Sequence, residues 1–356
     1  MTTEKEKDVW LVTRYEAARA VLSDTRFSSD SRNPSFPLYR DFSALIRMDP
    51  PEHTMYRRML APEFLTKRVT ELRPEVVRLT NELLDGVVCR KPPVDLVPSL
   101  AMPLPSLVIC RILGVPYEDH RFLQDRTATA LHMTSTEEEI SGAVAELGEY
   151  MGGVVRAKIA RPEGDLLSRL VVGHIEPGNC TAETAADLAR LLLVAGHVTT
   201  VNMIGLGILT LLQNPAQLAQ LRQDPQLIPA AVEELLRYLS VASAVGRVAT
   251  EDIHVGEHLV REGEGVMVLL AVANRDDRRY AMANKLDIER GGHGHLAFGY
   301  GPHVCIGAAL ARMELQIAIE AVIRRFPNLR LAVSMDRVAF RHEMRMYGVH
   351  ELPVEW

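Results

Sequence analysis

The cysteine at position 305 lies in a sequence context that favours reactive sulfur chemistry. It follows a glycine-rich run and immediately precedes a predicted helix from Ile306 to Phe326. The free amide groups and the dipole at a helix start stabilise negative charge, so we expect them to lower the thiol pKa and favour a thiolate. Gly299, Gly301 and Gly307 permit close approach of a flat ligand. The alternative is a glycine-rich turn that leads into a helix with a buried cysteine.

The other three cysteines, Cys89, Cys110 and Cys180, are widely spaced. They form no Cys-x-x-Cys pair and no zinc-ligand pattern with their neighbours. We expect them to be small hydrophobic residues of the core. The sequence therefore predicts neither a disulfide framework nor structural zinc.

Two pairs of residues could form ion pairs, either with each other or with a bound carboxylate. Glu234 and Arg237 lie one helical turn apart and can form an ion pair, although any solvated helix offers such pairs. His53 and Arg57 lie four residues apart on one helical face, where both can contact a carboxylate. The alternative for this second pair is the solvated start of a surface helix.

Small residues lie at the centre of the longest predicted helix, which runs from Ala182 to Leu212. Ala195 and Gly196 leave a groove there, which suits either a flat ligand or the close packing of another helix. Apolar residues at three- and four-residue spacing predict the remaining helices. These are Glu16–Leu22, Glu71–Val88, Glu137–Ile159 and Pro229–Leu239, beside the helix that follows Cys305.

Strand signals are few and short. They occur at Val9–Thr13, Val266–Leu270, Leu329–Val333 and Leu352–Val354. The pattern predicts a mainly α-helical domain with small β-sheets. Two long segments without periodicity, Ser28–Asp49 and Asp277–Gly301, interrupt it, and segments of this length usually serve a function. We interpret the first as a candidate lid.

The composition is that of a globular protein, with 47% hydrophobic and 24% charged residues among 356. The net charge of −6 gives no attraction for nucleic acid. The start of the chain is polar, and no uninterrupted apolar run approaches the ~20 residues that span a bilayer. We therefore expect a cytoplasmic protein without membrane or nucleic-acid partners, built as one domain because no linker composition interrupts it.

The run FGYGPHVCIG at 298–307 resembles the cytochrome P450 heme-binding signature F-G-x-G-x-H-x-C-x-G at every specified position. The resemblance implies a heme b cofactor, with Cys305 as the axial thiolate ligand of the iron and dioxygen as co-substrate. The other residues of this run that the resemblance implies in cofactor binding are Phe298, Gly299, His303 and Gly307.

Two further motifs are similar to those of the same family. Val232 to Tyr238 contains the E-x-x-R pattern, so the resemblance implies a structural triad of Glu234, Arg237 and Arg290. The run DPPEHTMYRR at 49–58 resembles D-P-P-E-H-x-x-x-R. It implies that the heme propionates are bound by His53, Arg57, Arg247 and His303, and arginine suits this role because its planar fork matches a carboxylate.

The run AGHVTT at 195–200 resembles the distal oxygen-binding pattern A-G-x-[D/E]-T-T. It implies that Ala195 and Gly196 lie against the cofactor and that Thr199 is the catalytic residue that contacts dioxygen. Val198 departs from the pattern because it replaces the usual acid, which leaves the ordinary proton route in doubt. His197 is the nearest titratable residue, but it is expected to face away from the heme.

The resemblance extends from about Val9 to the end of the chain. It implies the cytochrome P450 fold, with heme between the long distal helix and the cysteine-bearing helix. We expect a single domain over 1–356 without the extra helix and strand that usually begin the family's chains. The resemblance also implies an electron donor of the ferredoxin type and its reductase. The expected basic docking patch comprises Arg57, Arg58, Lys67, Arg68 and Arg312.

The leading hypothesis is a heme-thiolate monooxygenase that oxidises a small or medium organic molecule in bacterial specialised metabolism. A second hypothesis is oxidative coupling of aromatic groups in a peptide or phenolic substrate by the same heme. A third is a heme sensor or carrier without turnover. Product mass separates the first two hypotheses, and product formation excludes the third.

Overall fold

The protein is mainly α-helical in a computed structural model that describes residues 9–38 and 44–356. The helices are α1 Tyr15–Ser23, α2 Glu52–Leu60, α3 Thr66–Val88, α4 Pro103–Leu113, α5 His120–Leu131, α6 Glu137–Ala160, α7 Leu166–Leu170, α8 Ala182–Leu212, α9 Pro215–Gln223, α10 Ile228–Leu239, α11 Leu270–Ala273 and α12 Ala308–Arg325. The strands are β1 Val9–Val12, β2 Phe27–Ser28, β3 Val94–Asp95, β4 Val245–Ala249, β5 Ile253–Val255, β6 His258–Val260, β7 Gly265–Val268, β8 Arg330–Leu331 and β9 Pro353–Glu355. The prediction of a mainly helical fold with small sheets is confirmed.

The strands form small sheets at the edge of the helical body. The first has the order β1-β7-β4-β2, in which β1 runs parallel to β7 and the other pairs are antiparallel. Its register places Val9 opposite Gly265. The second sheet has the order β3-β9-β8, and β5 pairs with β6. A separate small core between α1 and the first sheet includes Val21, Val266 and Val268.

Helix α8 is the centre of the main core. It is apolar around nearly its whole circumference, which is typical of a helix that is covered on all sides. It packs against α4, α6, α10 and α12. By length and composition alone α8 also qualifies as a membrane span, but most of it is buried inside the protein. We interpret it as the core helix that carries Thr199.

Local sequence signals explain where several helices begin and end. α6 begins with a capping box, in which Thr136 and Glu139 satisfy each other's backbone amides. The Thr181 hydroxyl caps α8. α4 ends at Gly114, whose φ of 76° favours glycine. A Cβ atom at Gly114 would lie 2.3 Å from the carboxylate of Asp165, so the turn also requires the missing side chain.

The predicted bounds of α8 are confirmed, and those of α6 and α10 differ by one residue. α3 begins five residues earlier than predicted because its first turn contains a single apolar residue, Val69, beside three polar ones. α4 was not predicted, since Pro103 and Pro105 mask its start, although proline is tolerated in a first helical turn. The predicted strand Leu329–Val333 shortens to β8. The candidate lid contains residues 39–43, which lie outside the described residues.

Candidate heme-binding site

The cysteine loop is a tight turn that leads into α12. The Cys305 amide donates a hydrogen bond of 2.8 Å to the Phe298 carbonyl, which closes the loop. Gly299 and Gly301 have φ values of 71° and 72°, which favour glycine. A Cβ atom at Gly301 would lie 2.4 Å from the Leu22 carbonyl oxygen, so α1 can pack directly on this turn. The glycines therefore shape the loop and its contact with α1.

Cys305 is accessible at the open side of its loop although protein atoms pack around the rest of its thiol, whereas Cys110 and Cys180 are buried. Cys89 is exposed, which corrects the expectation that all three other cysteines are core residues. Burial within the surrounding protein raises the pKa of Cys305. The Gly307 amide and two nearby arginines lower it, but burial outweighs them. In the protein without a bound cofactor the net pKa shift of Cys305 is therefore opposite to the lowering expected from the helix start. A metal cation bound at the sulfur would favour the thiolate.

Two histidines stack beside this loop. The rings of His53 on α2 and His303 lie 3.9 Å apart between centroids. Burial lowers the pKa of both imidazoles, and that of His303 falls to about 3 because Arg247 and other cations add to the effect. The His53 Nε2 and His303 Nδ1 atoms are buried without a hydrogen-bond partner. Buried polar atoms normally have partners, so these nitrogens are available to a bound group.

Two arginines converge on the same region. Arg57 donates a hydrogen bond of 2.7 Å to the Val304 carbonyl, and the buried Arg247 donates one of 2.7 Å to the Gly246 carbonyl. Burial lowers the pKa of both, that of Arg247 to about 10. Among the described residues, neither guanidinium forms an ion pair with a carboxylate. One buried and one partly buried cation without carboxylate partners, beside unpartnered imidazole nitrogens, fit a ligand with acidic groups such as the heme propionates.

The predicted triad forms as expected. Arg237 donates hydrogen bonds of 2.7 Å from Nε and Nη2 to the two carboxylate oxygens of Glu234, and both side chains are completely buried. Arg290 Nε lies 3.2 Å from Glu234 Oε1. Arg237 Nη1 also donates to the carbonyls of Asn274 and Ala283, at 2.8 and 2.9 Å. The triad thus ties α10 to the irregular segment that precedes the cysteine loop.

A neighbouring ion-pair cluster was not predicted. Arg312 on α12 donates two hydrogen bonds of 2.6 and 2.9 Å to Glu233 on α10, and His295 lies 3.2 Å from the same carboxylate. Burial would raise the pKa of Glu233, but His295 and Arg312 outweigh it and lower it to about 2. The Arg312 guanidinium also lies over the Phe298 ring, 4.6 Å from its centroid. No sequence motif indicated Glu233, because its partners lie 62 or more residues away.

Asn274 is a second residue that sequence reasoning missed. Its side chain is completely buried, donates to the Ser240 hydroxyl at 2.8 Å and accepts from the Leu296 amide at 2.7 Å. It therefore joins the end of α10 to the segment that leads to Cys305. Asn274 lies three residues before the irregular segment 277–301, and no sequence pattern identified it.

The central turn of α8 presents an open face. Ala195 is exposed although the residues before it are buried, and Thr199 is partly exposed one turn later. The Thr199 hydroxyl donates a hydrogen bond of 2.9 Å to the Ala195 carbonyl. Gly196 instead faces α4, because a Cβ atom there would lie 3.1 Å from Ile109 Cδ1. Ala195 and Thr199 thus have the geometry of a ligand-facing surface, whereas Gly196 allows close helix packing.

His197 and Val198 do not supply an acid to that face. Val198 is buried and aliphatic. His197 lies two residues after Ala195, and therefore about 200° around the helix from it. Burial and the nearby Arg341 lower its pKa to about 4, so its imidazole is neutral near pH 7. The expectation that His197 faces away from Thr199 agrees with this helical geometry.

The predicted basic patch is weaker than expected. Arg312 pairs with Glu233, and Arg68 lies 2.8 Å from Glu71 and 3.8 Å from Glu63. Arg57 is directed to the Val304 carbonyl. These contacts offset part of the positive charge that the sequence places near Cys305. Arg58 remains exposed on α2.

Comparisons with known proteins agree with this geometry. The cytochrome P450 family model matches residues 133–333. Cytochrome P450-SU2 of Streptomyces griseolus is 48% identical over 98% of this chain and 87% of its own length. Pentalenic acid synthase of Streptomyces avermitilis is 44% identical over 98% of this chain and 89% of its own.

A similar crystal structure is that of mycinamicin VIII C21 methyl hydroxylase from Micromonospora griseorubida, bound to mycinamicin VIII. It is 40% identical, has a TM-score of 0.94, and the match covers 100% of this chain and 92% of that one. Sequence and fold agree over nearly the whole chain. The resemblance found in the cysteine loop is thereby confirmed, and the chain belongs to the cytochrome P450 family of bacterial heme monooxygenases.

Proposed function

We propose that the protein binds heme b through Cys305 and hydroxylates a small or medium organic molecule of bacterial specialised metabolism. The observation that carries the proposal is the convergence of the accessible Cys305 thiol with Arg57, Arg247 and two unpartnered imidazoles. When bound, the heme supplies the reduction of dioxygen, in which one oxygen atom enters a C–H bond and two electrons and two protons reduce the other to water.

Different residues around the site contact or position different parts of the cofactor. Arg57, Arg247, His53 and His303 bind the propionates, because each presents a buried or partly buried donor without an anionic partner among the described residues. Phe298, Gly299 and Gly307 shape the loop around the ligating sulfur. Glu234, Arg237 and Arg290 hold the preceding segment in place. Ala195 borders the opposite side of the ligand space.

Thr199 is the catalytic residue of this proposal. Its hydroxyl proton points to the Ala195 carbonyl, so its oxygen lone pairs are left to accept a hydrogen bond from the open face of α8. Neither Val198 nor the neutral His197 replaces the missing acid. Protons therefore reach the site through water that Thr199 orients or through a polar group of the substrate.

We also propose a cytoplasmic location and an electron donor of the ferredoxin type with its reductase. The surface beside the cysteine loop supports such docking, since it combines the exposed cation Arg58 with the exposed apolar side chains of Met55 and Leu65. An acidic iron–sulfur protein complements this surface. The substrate class draws support from relatives named for pentalenic acid and mycinamicin.

The decisive experiment follows product mass under labelled dioxygen. The purified protein is loaded with heme, supplied with ferredoxin, reductase and reduced nicotinamide cofactor, and incubated with candidate metabolites. A product that gains one labelled oxygen supports hydroxylation, whereas loss of two hydrogens indicates oxidative coupling and contradicts it. Cys305→Ala should remove the thiolate-type Soret band of the reduced CO complex and abolish turnover. Cys89→Ala, which changes an exposed cysteine, is the matched control.

A further inference from the structure

The loop between Phe340 and Val349 folds closely onto α8. These two residues form an isolated bridge, and the Arg341 amide donates to the Gly348 carbonyl at 2.9 Å. Asn202 on α8 donates through Nδ2 to the Met346 carbonyl at 3.0 Å. A Cβ atom at Gly348 would lie 2.2 Å from Asn202 Oδ1, so glycine permits this close contact. The loop is therefore docked on Asn202.

Asn202 brings one side chain of that loop to the open face of α8. Arg341 Nη1 donates to Asn202 Oδ1 at 3.3 Å. Asn202 lies three residues after Thr199 and seven after Ala195, spacings that place all three side chains on one face of the helix. The Arg341 guanidinium, which is also near His197, is thus held at Asn202, about one helical turn from the catalytic threonine.

The charge of Arg341 is not balanced by the protein that surrounds it. Its Nε atom is buried and has no hydrogen-bond partner. Burial lowers its pKa, and the negative charges of Glu343 and Asp95 only partly oppose this effect. The Glu343 carboxylate is engaged by His350 at 2.5 Å, and Asp95 accepts hydrogen bonds from the backbone amides of Val97 and Leu352. Among the described residues, none forms an ion pair with Arg341.

A purely structural role for Arg341, in which it only stabilises the loop, explains these contacts less well. One long hydrogen bond to a neutral amide uses one of the five donors of a guanidinium. Buried guanidinium groups normally have anionic or multiple acceptor partners. The buried Nε atom of Arg341, which has no partner, therefore indicates a ligand that is absent from the protein itself.

We propose that Arg341 recognises a carboxylate on the substrate, so that the enzyme acts on an apolar organic acid. This inference rests on the proposed monooxygenase function and specifies its substrate class. A monoanionic carboxylate matches a single guanidinium with one edge already bound to Asn202. We infer that the rest of the ligand is apolar, because Ala195 on the open face of α8 is exposed and the apolar loop residues Met344 and Met346 are only partly buried. Arg341 is a specificity-determining residue that anchors the acid group near Thr199.

The test compares matched acids and alcohols on the heme-loaded protein. Octanoate, decanoate and dodecanoate are titrated against the corresponding primary alcohols by isothermal calorimetry at pH 8, where the acids are ionised. We expect the parent to bind the acids at least about tenfold more tightly than the alcohols, the size of a charge-assisted hydrogen bond. Arg341→Gln should bring this ratio close to one, and Arg341→Lys should retain part of it. Arg337→Gln, at an exposed site, should leave it unchanged.

Three results would overturn the proposal: a ratio near one in the parent, no detectable binding of any of the acids, or an unchanged ratio in Arg341→Gln. Visible spectra of the same samples separate this failure from that of the proposed function. A protein with a thiolate-type heme spectrum but no acid preference contradicts only the role of Arg341. A protein that does not bind heme contradicts the proposed function, and with it the substrate role of Arg341.

Discussion

Arg237 donates two hydrogen bonds of 2.7 Å to Glu234, and the side chains of both residues are completely buried. The pair lies on α10, but its remaining contacts reach the segment between Asn274 and Arg290. The stability of a buried charge of this kind depends on its ion-pair partner, because water does not reach the charge to solvate it. The pair therefore couples the folding of α10 to that of the segment before the cysteine loop.

Glu234→Ala should lower the free energy of unfolding by roughly 3 to 5 kcal/mol, since it leaves the Arg237 cation buried and unpaired. Urea unfolding followed by circular dichroism measures the change. Glu75→Ala, which removes an exposed ion pair of Arg78 on α3, is the control and should have a smaller effect. Equal losses in the two variants would contradict the importance assigned to the buried pair.

Arg247→Met should have opposite effects on the heme-free and heme-bound proteins. Without heme, the buried cation lacks a carboxylate partner among the described residues, so its removal should raise the free energy of unfolding. With heme, loss of a propionate contact should cost roughly 1 to 3 kcal/mol of heme binding. Unfolding of the heme-free protein and heme transfer to an apo-globin measure the two effects. Arg58→Ala, at an exposed site, should change neither; equal heme-transfer rates in Arg247→Met and the parent would count against propionate binding.

His197 should make the protein less stable in acid. Its folded pKa of about 4 lies below the ordinary value of 6.5, because burial and Arg341 disfavour the cation. The unfolded chain therefore binds a proton between these values, and the stability that is present above pH 6.5 is lost as the pH falls toward 4. The loss is on the order of 2 to 3 kcal/mol. His197→Gln should flatten the pH dependence of urea unfolding in this window, whereas the exposed His254→Gln should retain the parental slope.

Val198→Glu should speed dioxygen consumption with poor substrates, because it restores an acid beside Thr199. General acid help typically contributes 10²- to 10⁴-fold. The gain is limited because Val198 is buried, and burial raises the pKa of an introduced carboxyl. Oxygen uptake and product yield are measured for the parent, Val198→Glu and Thr199→Ala, each with its heme content determined. If both variants match the parent with heme bound, this turn of α8 is not the proton route.

Much of the architecture could be predicted from local sequence patterns. The bounds of α8 follow from its continuous apolar periodicity, and the triad of Glu234, Arg237 and Arg290 forms as its motif predicts. Helix ends were less predictable. The first turn of α3 has only one apolar residue, Val69, and prolines occupy the start of α4, so local sequence did not predict either helix start.

The sequence by itself determined the family, the position of the cysteine loop that contains Cys305 and the order of the motifs, because these are properties of neighbouring residues. Only the tertiary structure decided which distant groups meet: Arg312 with Glu233, Asn274 with Leu296, and Arg341 with Asn202. It also reversed the expected direction of the Cys305 pKa shift. Burial and contacts between residues distant in sequence set these pKa shifts and side-chain pairings. Both depend on how all the elements pack together rather than on any single segment.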